Sequence, residues 1–134
     1  GSTFSTAITL DAASQSYNNQ ANDTYLALLF ATLPGISKVG SYTGTGNNID
    51  VDCGFTNGAR FVLIKNASSS YDWNLFDTTR GITAGNDPYY ALNSNVPQYT
   101  AADRIDPLSS GFTVSTTFSD YNAVGDNYIF LAIA

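Results

Sequence analysis

The stretch IDVDCGFTNGARFVLIK, Ile49–Lys65, carries the reading on which the fold turns. In its first half Ile49, Val51, Cys53 and Phe55 alternate with Asp50, Asp52 and Gly54. That is the period of a strand with one face buried and one face wet. Its second half, Phe61–Ile64, is an apolar strand core with Arg60 and Lys65 at its ends. Asn57-Gly58 lies between the halves, and Asn-Gly is a strong hairpin-turn signal. The stretch therefore predicts an antiparallel hairpin over residues 49–65. Cys53 occupies one of the apolar places, so it reads as a small buried hydrophobe rather than a reactive thiol. As the only cysteine of the chain, it cannot form an intrachain disulfide.

Composition extends that reading to the whole chain. At 134 residues, with 43% hydrophobic residues, the chain is long enough to bury a core. Charged residues make up only 12%, about half the usual share. All eleven acidic residues are Asp, and Glu, His and Met are absent. Good helix formers are thus scarce, while nine Tyr and eight Phe favour strands. The net charge of −6 with five cations offers no basic patch for nucleic acid. It disfavours anionic membrane surfaces too, and the apolar runs are too short to span a bilayer.

Outward from the opening stretch, short strands are predicted at 3–10, 37–46, 71–77, 89–93 and 104–110. Segments 111–118 and 127–134 are expected to close the chain as an antiparallel pair. TYLALLFATL, 24–33, reads as a buried strand. Over 71–77, Tyr71, Trp73 and Leu75 are expected to face inward and Asp72 and Asn74 outward. Pro107 demotes 104–110 to an edge or an end. No crossover helices are present to support a parallel sheet. The expected fold is all-β: an antiparallel β-sandwich, jelly-roll-like and lectin-like, with no substantial helix.

NDTYLALLFA, 22–31, also matches GDNYIFLAIA, 125–134, without a gap: Asp23 falls on Asp126, Tyr25 on Tyr128, Leu28 on Leu131 and Ala31 on Ala134. Two readings follow. The segments are sister strands of one sandwich, or the same strand from successive copies of it. Under the second reading, residues 1–33 are the tail of a preceding copy and 34–134 form the sandwich domain. Under either, the YLALLF run must pack on this domain or exchange with a neighbouring chain, because left in water it invites aggregation.

The residues argue against catalysis. Without His or Glu there is no Ser-His-Asp triad, no Cys-His pair and little general acid–base chemistry. Asp pairs can hydrolyse glycosides, but Asp50 and Asp52 share the wet face of one strand. An oxygen-rich run at Asn47, Asn48, Asp50 and Asp52 and another at Asn86-Asp87 could hold Ca²⁺, yet Asx-turns explain both. No metal and no cofactor is expected. The block DWNLFDTTRGITAGNDPYY, 72–90, holds the candidate ligand-binding residues: Trp73, Asp77, Arg80, Asn86, Asp87, Tyr89 and Tyr90. Trp73 is a core anchor or a sugar-stacking platform. Asp77 and Arg80 form a structural ion pair or a ligand fork. Loops rich in Tyr, Asn and Ser suit recognition.

The order SKVGSYTGTG, RFVLIKN, DWNLFDTTRG, YYALN and finally GDNYIFLAIA resembles a repeat domain of bacteriophage virion proteins. The likeness is to tail-fibre-like structural proteins of cyanobacterial and other marine phages, and it covers residues 37–134. It implies a non-catalytic module of a virion appendage, acting outside the cell, in a homotrimer, with loops that contact a host-surface glycan. A spacer or decoration domain touching only other virion proteins is the second expectation. A secreted carbohydrate-binding module is the third.

Overall fold

The computed structural model describes residues 21–134. Eight strands and one short helix follow in order: β1 (Ser37–Thr43), β2 (Ile49–Asp52), β3 (Phe61–Asn66), β4 (Trp73–Asp77), β5 (Tyr89–Ala91), β6 (Ile105–Leu108), β7 (Gly111–Val114), α1 (Ser119–Asn122) and β8 (Asn127–Ile133). They form two antiparallel sheets, a larger one in the order β1-β8-β3-β4-β5 and a smaller one in the order β2-β7-β6. The all-β sandwich read from the sequence is the fold. The neighbours β1-β8-β3 and β2-β7 arise by crossing between sheets, as in a jelly roll, whereas β3-β4-β5 is a plain meander. The expected strand at 3–10 lies outside the described residues.

The core lies between the sheets. Val62, Ile64, Phe76, Tyr128 and Phe130 of the larger sheet meet Val51, Ile105, Phe112 and Val114 of the smaller one. Tyr121 of α1 is wholly buried and sets its ring edge-on to Phe76, 5.8 Å between centroids. The loops at the α1 end are tied by two buried amides. Asn122 accepts the N–H of Thr45 at 2.8 Å and donates to the carbonyls of Asn47 and Thr116. Asn66 donates to the carbonyl of Ser119 and to the Tyr128 hydroxyl. Such satisfied polar networks let loop backbone sit against a core without stranding its donors.

Four expectations need correction. Residues 49–65 are not a hairpin: β2 pairs with β7, β3 pairs with β4 and β8, and the chain between them crosses from one sheet to the other. The N–H groups of Cys53 and Phe55 bond to the Ser110 carbonyl, that of Gly58 to Ser109 and that of Ala59 to Gly111. Alternation reveals which face of a strand is buried, not which sheet it joins, and two inward faces can meet across a core as readily as within one sheet. Nor do 111–118 and 127–134 pair. A two-residue turn between Leu108 and Gly111 gives β7 a nearer partner in β6, at less loop-closure cost. β6 is an edge strand, as Pro107 requires.

The third correction concerns β4. Its inward residues are Asn74 and Phe76, 2% and 0% exposed, while Trp73 is 39% exposed on the opposite face. The fourth concerns 24–33, where residues 23–32 form no strand. Leu26 is 88% exposed and Leu29 70%. Within the larger sheet, the place that suits this β8-like sequence is already filled by β8. The segment ends instead in a tight turn, with reciprocal backbone bonds between Leu33 and Ser37. The Thr32 hydroxyl caps the β1 edge by bonding both the N–H and the carbonyl of Val39.

Candidate functional site

Strand registers place three rows of side chains across the outer face of the larger sheet. The central row runs Val39–Leu131–Leu63–Leu75–Tyr90, one residue from each strand. On one side of it lies Ser41–Ile129–Lys65–Trp73, and on the other Ser37–Ile133–Phe61–Asp77. The alternate residues of the same strands fill the core, so these rows face away from it. A sheet face turned to water ordinarily carries polar residues, yet this one is apolar across all five strands. Val39, Ile129 and Trp73 are exposed to 43%, 42% and 39%. Leu28 and Phe30 of the preceding segment rise beside this face and, with Val39, Leu63, Trp73 and Ile129, line a groove of about 250 Å³.

Of the residues picked out in the sequence, the fold gathers four along the β4–β5 margin of this face. Trp73 stands at one end of β4 and Asp77 at the other, with Tyr90 beside them on β5. Arg80 follows in the loop. Its guanidinium pairs with the Asp77 carboxylate, its backbone N–H donates to Asp77 Oδ1 at 2.9 Å, and its charge lies 4.5 Å above the centre of the Tyr90 ring. Cation, carboxylate and ring thus form one partly exposed cluster.

The other three residues lie elsewhere and do other work. Asp87 is fully buried and accepts backbone N–H groups from Thr83, Arg104 and Ile105, each at 3.0 Å. Burial pushes its carboxyl above the usual range, against the pull of those three donors. Tyr89 is 6% exposed and stacks on Tyr99 at 4.6 Å and against Phe76 at 5.3 Å. Asn86 is exposed, and its carbonyl accepts the Thr83 hydroxyl. Asp87 and Tyr89 are therefore structural, not ligand-facing.

The Asn/Asp run of 47–52 is likewise engaged locally. Asp50 Oδ1 accepts the Thr113 hydroxyl at 2.6 Å and Asp52 Oδ1 accepts the Gly54 N–H at 2.8 Å, an Asx-turn. Among the described residues, no three His, Cys, Asp or Glu side chains come together to hold a metal, and no helix is long and apolar enough to cross a membrane.

Sequence reasoning missed the aliphatic part of the face: Val39, Leu63, Leu75, Ile129 and Leu131. The signal was there. Strands β3 and β8 are apolar at both parities, and in a two-layer sandwich only one parity can point into the core.

A family model described as a domain of unknown function, DUF7483, matches residues 1–134. No curated protein and no solved structure matches the chain.

Proposed function

The chain belongs to the DUF7483 family over residues 1–134, and we propose that it is a non-catalytic structural module of a bacteriophage virion, part of a tail fibre or similar appendage. In this reading the outer face of the larger sheet is its assembly surface. The observation that carries it is the apolar row through all five strands, flanked by the exposed Leu26, Leu28, Leu29 and Phe30. A contiguous apolar patch with a polar margin is characteristic of protein–protein contact. The likeness of residues 37–134 to tail-fibre-like repeats supplies the context, and from it the expectation of a homotrimer outside the cell.

Light scattering on a sizing column tests this. Residues 1–134 are expected to run as an oligomer whose Trp73 emission is shifted to shorter wavelength than in a dissociated form. A Trp73→Asp/Ile129→Asp variant, changed only at exposed positions, is expected to run as a folded monomer. A wild-type monomer with solvent-exposed Trp73 at high concentration would refute the assembly surface.

The cluster of Arg80, Asp77 and Tyr90 favours a second reading, contact with a host-surface glycan along the β4–β5 margin. Arg80 is already committed to Asp77, which weakens it as a free fork. Arg80→Ala lowering attachment to bacterial envelope polysaccharide would support this reading.

A further inference from the structure

A second concave feature lies at the end of the sandwich where β3 begins and β4 ends. The crossing segment after β2, the turn between β6 and β7, and the start of the β4–β5 loop enclose a cleft of about 390 Å³. Its wall is stiff. Three backbone hydrogen bonds of 2.8–2.9 Å, from Cys53, Gly58 and Ala59 to Ser110, Ser109 and Gly111, hold the crossing segment against the turn. Gly58 has φ +77°, and a Cβ there would meet the Leu108 carbonyl at 2.9 Å, so the two backbones approach as only glycine allows.

The side-chain groups around that wall are uncommitted. Thr56, Asn57, Thr78 and Ser109 line the cleft, and among the described residues their hydroxyl and amide groups make no hydrogen bond. Ile82 and Pro107 supply an apolar flank. No lining residue carries a charge. A phosphate or carboxylate would find no cation there, and a metal ion no carboxylate. Hydroxyl and amide groups that both donate and accept, set beside a small apolar surface, match a neutral ring bearing hydroxyls on its edge and C–H groups on its face.

The geometry points to this cleft as a binding site for a neutral saccharide unit, a hexopyranose or its N-acetyl derivative. Its stiff wall lowers the ordering cost of binding. The inference does not rest on the assembly surface, because cleft and face share no residue.

The test is a titration of ¹⁵N-labelled residues 1–134 with galactose, mannose and N-acetylglucosamine, with glucuronate as the charged counterpart, followed by amide chemical shifts. At least one neutral sugar is expected to move the amides of Thr56–Ala59, Thr78 and Ser109 with millimolar affinity, and glucuronate to bind more weakly. Ser109→Ala should weaken binding roughly fivefold, the loss of one hydrogen bond. Asn57→Leu/Thr78→Val should abolish it while the Trp73 emission stays that of the wild type. Should the double variant fail to fold, the wild-type shift map and the single variant decide. Absence of shifts for all three neutral sugars at millimolar concentration, shifts centred on Trp73 and Tyr90 instead, or unchanged affinity in Ser109→Ala would each overturn the proposal.

Discussion

At Gly111, the first residue of β7, an added methyl group would run into the carbonyl oxygen of Val51 on β2. The smaller sheet closes only because that place is empty. Gly111→Ala is expected to lower stability by about 1–3 kcal/mol, read as a lower urea midpoint with an unchanged slope. Nothing in the local sequence distinguishes this glycine from those in turns, because the contact is with a strand some sixty residues earlier. Cys53 was legible: its parity with Val51 and Phe55 placed it inside, and it is 7% exposed, with burial lifting its thiol to about 11. Trp73 was not. Alternation on β4 is read from polar partners, and Asn74, polar in sequence, is the buried one. The pairing of Arg80 with Asp77 was legible at three residues' separation, but the Tyr90 ring under it was not, since the eleven-residue loop 78–88 brings that ring back.

Single strands were mostly legible and their partners were not. β1, β2, β4, β5, β6, β7 and β8 fall within the predicted segments and β3 runs one residue past its own, because a half-buried strand writes its period into its own residues. Pairing depends on distant residues. Asp87 shows how far that dependence reaches. It sits in the loop before β5 and takes the N–H groups of Arg104 and Ile105 at the start of β6, so it joins the larger sheet to the smaller. Asp87→Ala strands three backbone donors, that of Ile105 fully buried, and is expected to cost about 3 kcal/mol, with Asp87→Asn recovering part of the loss through its remaining acceptor. Hydrogen exchange checks the mechanism. The amides of Thr83, Arg104 and Ile105 should lose protection before those of β8. Equal loss across both sheets would show that Asp87 does not act through these bonds.

Over the whole molecule, acidic charge and burial work in one direction. Burial raises the carboxyls of Asp87, Asp106 and Asp120 above the usual aspartate value. A carboxyl raised in the folded state binds its proton more tightly there than in the unfolded chain. Its contribution is therefore present below the unfolded pKa and is lost as pH rises through the folded one. Repulsion within a chain of net charge −6 adds to the same trend. Thermal unfolding is expected at a higher temperature near about pH 4.5 than near about pH 7.5, and a transition that rises with pH over that range would contradict the assignment. Fold class was legible at this scale from composition alone, while the division into five and three strands rests on crossings that leave no periodic trace. The pairing of β1 with β8 bears on mechanics. β1 begins beside the point where β8 ends, with Ser37 opposite Ile133 and the Ala134 N–H on the Ile36 carbonyl. Tension applied through those two points would load the β1–β8 ladder one rung at a time, as a zipper opens, instead of shearing all its rungs together. A module built this way yields at low force when pulled by its chain, so any appendage that uses it under load must carry that load sideways, through its faces.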